Sequence, residues 1–258
     1  MMVTFLAALL IGAAVLLLGW MFLEGHLNRV LTLDLEFADL PDPFIGKHLF
    51  FISDIHRRRI SESWLNALKK SMDYVVIGGD LTEKGVPLKR VEANLRLLTS
   101  CAPVFFVWGN HDREAKTQQI KTLLDQYAVT VIENATYIID EQGYSLNFCG
   151  IDDLLAGQPD LEQVLNSRRS NAPTVLFSHN PDIKHELNGK MKIDYVISGH
   201  THSGQINFFG FTLKEKAGVK KLPFGTLIIS SGYGTTTIPL RLGAKPDVLL
   251  LTLQRNRL

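Results

Sequence analysis

Two stretches, His48-Leu-Phe-Phe-Ile-Ser-Asp-Ile-His56 and Tyr74-Val-Val-Ile-Gly-Gly-Asp80, share one grammar: a short apolar run that stops abruptly in polar or glycine-punctuated sequence. Such runs, bounded by turn signals, are the pattern of strands buried on both faces. The grammar recurs three times. Val104-Phe-Phe-Val107 runs into Gly109-Asn110-His111-Asp112, Thr174–Phe177 into Ser178-His179-Asn180, and Tyr195-Val-Ile197 into Ser198-Gly199-His200-Thr201-His202. Helical stretches separate them: Ser61–Lys70 with Ser61 as cap, Val86–Thr99 with Pro87 near its first turn, Glu114–Tyr127 and Leu161–Arg169. Further strands are predicted at Leu31–Phe37, where apolar and polar residues alternate, and at Val129–Ile132, Thr136–Ile139, Tyr144–Cys149, Leu227–Ile229 and Val248–Leu253. Strands alternating with helices predict an α/β architecture with helices covering the sheets.

The bulk numbers exclude little but exclude it clearly. A chain of 258 residues, 46% hydrophobic, can bury one sizeable core. Lys and Arg number 27 against 26 Asp and Glu, a net charge of +1, so the basic excess typical of nucleic-acid binding is missing and no nucleic-acid partner is expected. Cys101 and Cys149 are far apart, show no metal-type spacing, and are expected to stay reduced.

Val3–Leu23 holds no charged residue, which meets the need of a membrane-spanning helix for about 20 apolar residues. A secretory signal would want a basic start, a shorter apolar centre and a small-residue cleavage site, whereas this segment runs into Trp20-Met21-Phe22-Leu23-Glu24. The reading is an uncleaved anchor over residues 1–28 carrying one catalytic domain over residues 29–258. Lys and Arg occur only after the apolar segment, beginning with Arg29, which orients the domain toward the cytoplasm of a single-pass protein.

In open α/β sheets ligands bind beyond the carboxyl ends of the strands, so the five strand-exit clusters can converge. Together they offer Asp54, His56, Asp80, Asn110, His179, His200 and His202. Oxygen donors mixed with imidazoles suit divalent ions, manganese first, with zinc, iron or magnesium also accepted. Seven donors exceed what one ion uses; two neighbouring ions sharing a carboxylate can take them. Singly, each cluster has an ordinary explanation as a turn or helix cap. All five at strand exits leave that explanation little room.

The ordered set Asp54-x-His56, Gly79-Asp80, Gly109-Asn110-His111-Asp112, Ser178-His179 and Gly199-His200-Thr201-His202 resembles the motifs of the calcineurin-like metallophosphoesterases. The resemblance spans Phe50 to about Gln205, and the late Ser231-Gly-Tyr-Gly-Thr and Pro239-Leu-Arg241 segments look like a bacterial membrane-associated branch acting on phosphodiesters or lipid-linked pyrophosphates. It implies a pair of packed β-sheets flanked by helices. It also implies one ion on Asp54, His56 and His202, a second on Asn110, His179 and His200, and Asp80 shared between them. His111 would stand beside the ions as general acid, with Asp112 orienting its ring; as a capping residue Asp112 also reads as the start of the helix at Arg113. Glu83-Lys84 departs from the Asp-Arg found there in many phosphatases of the family, which argues against a protein phosphatase.

The expected reaction is hydrolysis of a phosphodiester or pyrophosphate by a water activated between two ions. A phosphomonoesterase and a non-catalytic scaffold are the alternatives. Arg57-Arg58-Arg59, directly after the first ligand pair, reads either as a site for substrate phosphate or a lipid headgroup or as a solvated basic loop. Phe208-Phe209-Gly210-Phe211 reads as sheet edge or core ahead of a membrane-dipping loop.

Overall fold

The computed structural model describes residues 1–207 and 210–256. The long apolar segment forms helix α1, Met2–Gly25, whose surface is exposed except at Met21, Glu24 and Gly25, where it meets the rest of the chain. Its length and mean hydropathy of 2.6 fit a membrane span.

Among the described residues twelve strands make two mixed six-stranded sheets. The first is ordered β1 (Val30–Phe37), β12 (Val248–Arg255), β2 (His48–Ile52), β3 (Tyr74–Gly78), β4 (Val104–Val107) and β5 (Thr130–Val131). The second is ordered β10 (Gly218–Leu222), β11 (Gly225–Ile229), β9 (Tyr195–Ser198), β8 (Thr174–Phe177), β7 (Tyr144–Gly150) and β6 (Ala135–Glu141). In the first sheet β2, β3 and β4 run parallel, and in the second β7, β8 and β9 do. All the strands carrying candidate ligands therefore run in parallel sets.

Side-chain alternation along β2 explains the layering. Leu49 and Phe51 join Val76, Phe105, Phe148 and Phe177 in a core between the sheets. Phe50 and Ile52 face the other way, into a second core under helices α2 (Glu62–Leu68), α3 (Leu88–Thr99) and α5 (Thr117–Gln126). On the outer face of the second sheet, Leu176, Val196 and Leu227 pack with Val164 of α6 (Leu161–Asn166). The result is helices on both flanks of two stacked sheets, as the resemblance implies.

Several element boundaries differ from the sequence reading. The expected helix Glu114–Tyr127 is two helices, α4 (Asn110–Glu114) and α5, separated by an extended Ala115. The break frees α4 to start at Asn110, at the strand exit, while α5 lays Ile120 and Leu124 on the core. Pro87 is the extended cap immediately before α3, where its missing N–H costs no helical bond and its carbonyl accepts from Arg90 N–H. Strand β10 was not expected. Its Gly-Val-Lys-Lys-Leu sequence is mostly exposed and is held by antiparallel pairing to β11. Cys101 and Cys149 are both free. Phe208 and Phe209 lie outside the described residues, and Phe211 beside them is exposed.

Phe148 sits at the middle of the inter-sheet core, its ring 5.4 Å from Phe105 and 5.2 Å from Phe177, both edge-on. Phe148→Ala should cost about 3–5 kcal/mol, as for other large core truncations. Denaturant unfolding of the full chain in detergent checks this.

Candidate metal centre

The strand exits are stitched together by backbone hydrogen bonds. Beyond β2, Asp54 N–H donates to Gly79 O and His56 N–H to Asp80 O, so the loops after β2 and β3 continue the pairing of their strands. Gly79 has φ +85, and a Cβ there would lie 2.6 Å from His179 Nδ1, so only glycine fits this approach of the two sheets. Across it, His179 Nδ1–H donates to Gly78 O (2.9 Å). A carbonyl only accepts, so Nδ1 carries a proton and Nε2 faces inward.

The candidate ligands converge there. Asp80 Oδ2 lies 3.1 Å from His179 Nε2 and 3.7 Å from His56 Nε2, between the two rings. His202 Nε2 is 3.1 Å from His56 Nε2 and 3.3 Å from Asp54 Oδ1. His200 Nδ1 is 3.3 Å from His179 Nε2 and 3.1 Å from Asn110 Oδ1. All seven expected residues are thus brought together. Two groups have donor atoms mutually within 4.8 Å: Asp54, His56 and His202, and Asp54, Asp80 and His179. The first matches the expected set for one ion. The second places Asp54 close enough to Asp80 that both carboxylates border both halves.

This donor set fits divalent cations. Imidazole nitrogens face one another at about hydrogen-bond distance beside two fully buried carboxylates. Burial alone would lower the affinity of His179 for protons, but Asp80, charged and hydrogen-bonded to it, and Asp54 raise its pKa to about 10. Burial works against His56 as well and is outweighed by Glu83, Asp80 and Asp54. The site therefore attracts positive charge. Asp54, His56, Asp80, His200 and His202 all have positive φ, between 48° and 69°. For non-glycine residues that conformation costs of order 1–3 kcal/mol each and clusters at functional sites.

Two residues whose roles the sequence did not reveal hold the ligands in place. Glu83 Oε2 lies 3.2 Å from His56 Nδ1, while Oε1 takes the Arg57 guanidinium. Its position was noticed only as a departure from the family pattern; the signal was a carboxylate three residues after Asp80. Arg241 is fully buried. It donates to Ser231 O, Gly232 O, Gly234 O and Ala244 O, and its Nη2 lies 3.1 Å from His202 Nδ1. Burial first, then the charges of His56 and Arg241, hold His202 well below the usual histidine range, in the neutral form that binds metals. Its signal was an arginine in an otherwise apolar Pro-Leu-Arg-Leu stretch.

His111 stands at the rim. Its backbone N–H donates to Asp80 Oδ1 (2.9 Å), its ring is 5.1 Å from that of His56, and its side chain is about a third exposed. A cleft of about 250 Å³ opens there, bordered by Asp80, His111, His200, His202, Gln205 and Lys214. Of the two roles read for Asp112, the structure carries the helix start and not the ring contact. Both its oxygens are taken by backbone, Oδ1 by Thr82 N–H and Oδ2 by Gly109 N–H, so it fixes the start of α4 instead of the His111 ring. Burial and the nearby Asp80 charge push its pKa up to about 7. The carboxylate nearest the His111 ring is Glu114, 3.5 Å from Nδ1. The arginine triplet also divides. Arg57 pairs with Glu83, Arg58 turns away to Tyr233 O and His26 O, and Arg59 is exposed. None of the three lines the cleft beside His111.

The calcineurin-like phosphoesterase family model matches residues 47–204. The Bacillus subtilis (strain 168) protein YpbG is 37% identical over 209 residues, covering 80% of each chain. The phosphodiesterase YaeI of Escherichia coli (strain K12) is 29% identical over 236 residues, covering 84% of each. Among solved structures, the sulfate thiohydrolase SoxB of Thermus thermophilus superposes with a TM-score of 0.56 at 15% identity, over 84% of this chain and 58% of that one, a likeness of fold.

Because Glu83 braces His56 from behind, Glu83→Ala should weaken divalent-metal binding about 10–100-fold, as loss of such supporting carboxylates commonly does. Competition with a fluorescent chelator reads the change. Unaltered affinity would remove the role given to Glu83.

Proposed function

This chain belongs to the calcineurin-like phosphoesterase family, and we propose that it is a dinuclear metal-dependent hydrolase of a phosphodiester or pyrophosphate bond met at a membrane surface. The observation that carries the reading is the joint placement of seven donor side chains beneath one cleft, with His111 at its rim. Asp54, His56 and His202 would hold one divalent ion, Asn110, His179 and His200 the other, and Asp80, lying between His56 and His179, would be shared. When bound, such ions supply charge neutralisation at a phosphoryl group and acidify a water to near-neutral pKa. Manganese is the ion we assign, since oxygen and imidazole donors in this mixture suit it.

The protein's own groups do the rest. Asp80 sets the position of His111 through its backbone N–H, and the partly exposed imidazole borders the cleft where a leaving oxygen would emerge. As a general acid it can deliver a proton to that oxygen. Lys214, which also borders the cleft, offers a cation to a substrate phosphate. The diester preference draws support from the phosphodiesterase YaeI, similar over most of its length. In this reading α1 is a single-pass anchor and the domain lies at the cytoplasmic face. The apolar, exposed surface of α1 and the restriction of Lys and Arg to the sequence after it support that placement.

Full-length protein with manganese should hydrolyse bis(p-nitrophenyl) phosphate, faster than p-nitrophenyl phosphate, and lose this activity to a chelator. His111→Ala should lower kcat about 10²–10⁴-fold, the usual contribution of a general acid, with little change in KM. Faster monoester turnover would reassign the enzyme as a phosphomonoesterase. Chelator-insensitive turnover would refute the metal mechanism.

A further inference from the structure

At the foot of α1, away from the cleft beside His111, lies a second cleft of about 390 Å³ bordered by His26, Asn28, Arg57, Arg59, Ser61 and Arg90. Its floor is Arg58 stacked 3.9 Å over the Tyr233 ring. The Arg58 guanidinium is turned onto protein acceptors, Nη1 donating to Tyr233 O and Nη2 to His26 O, Leu27 O and Asn28 Oδ1. Tyr233 Oη–H also donates to Asn28 Oδ1. These bonds tie the segment just after α1 to the wall of the cleft, so the cleft has a defined place relative to the helix.

The cations around it are unevenly spent. Arg57 is paired with Glu83. Arg90 donates through Nη1 to Arg57 O, while its Nε is buried without a partner. Arg59 is exposed, and no carboxylate borders the cleft among the described residues. Arg59 and Arg90 both border the cleft, and among the described residues neither the Arg59 guanidinium nor Arg90 Nη2 has a protein acceptor. Guanidinium forks match phosphate oxygens, and desolvated donors without acceptors are costly to leave so. The level of the cleft identifies the source of phosphate. The exposed apolar side chains of Trp20, Phe22 and Leu23 end about 5 Å along the helix axis from His26, at 1.5 Å rise per residue. Aromatic residues at the end of a membrane helix mark the headgroup region.

We propose that this cleft binds the phosphate of an anionic phospholipid headgroup in the leaflet where α1 ends. The inference rests on reading α1 as a membrane anchor and is independent of the reaction at the metal centre. Such binding would fix the rotation of the domain about α1, because the same residues that border the cleft lock Asn28 and Tyr233.

The test uses full-length protein in nanodiscs containing phosphatidylglycerol and phosphatidylcholine in equal amounts, with the lipid retained on gentle release counted by native mass spectrometry. Retention should favour phosphatidylglycerol about twenty-five-fold, taking roughly five-fold for each of two free guanidiniums. Arg59→Ala/Arg90→Ala should abolish that preference, and Arg59→Ala alone, which removes no protein contact, should reduce it by about five-fold. The charge-matched Lys121→Ala/Lys190→Ala should keep it. Equal retention of the two lipids by the native chain, or equal loss in the lysine control, would overturn the proposal. So would full displacement of phosphatidylglycerol by millimolar glycerol phosphate, which would make this a site for free phosphate esters. Lipid retention is read without turnover, so a failure of the proposed reaction would leave the result unaffected.

Discussion

Two buried carboxylates, Asp54 and Asp80, lie beneath a ring of imidazoles, and the rest of the structure follows from the need to keep them there. Burying such charges unpaired would cost several kcal/mol each. The chain meets that cost partly with donors: Ser53 Oγ–H and His200 N–H to Asp54, and His111 N–H to Asp80. It leaves the inward oxygens facing His56, His179 and His202. Divalent cations complete this arrangement better than protons do, because each imidazole can then keep its neutral, ligating form.

Geometry of this kind demands parallel strands whose exits meet. β2 and β3 in one sheet and β8 and β9 in the other deliver their ligands from the same end, and the close glycine contact between Gly79 and His179 brings the sheets together. The left-handed backbone at five ligands is strain that the surrounding hydrogen bonds must hold. Arg241 is central to that holding. Its side chain collects four carbonyls of the 231–244 segment and meets His202, while its backbone N–H donates to Met21 O in α1. The foot of the apolar helix α1 is therefore one residue removed from the candidate ligand His202, and the position of α1 and the shape of the site are linked through a single buried guanidinium.

Much of this was legible in the sequence because burial on both faces of a parallel strand leaves a conspicuous signature. Phe50-Phe51-Ile52 and Val75-Val76-Ile77 have no polar interruption until the chain reaches the site, so both the strands and the ligands at their exits stand out. What was not legible depends on where side chains turn after the backbone is placed. Asp112 follows His111 in sequence but bonds backward to Gly109 and across to Thr82. Arg58 sits among three identical residues, and only its packing on Tyr233 separates it from its neighbours. Glu83 and Arg241 act through residues distant in sequence, and β10 is held by pairing to β11 without an apolar pattern of its own.

The central claim is that these seven side chains form a two-ion centre. The most direct measurement is the metal content of the purified full-length protein after manganese loading and desalting, by plasma mass spectrometry. The account predicts about two divalent ions per chain, as in other two-metal sites. A single ion, or none above background in a folded protein, would contradict it.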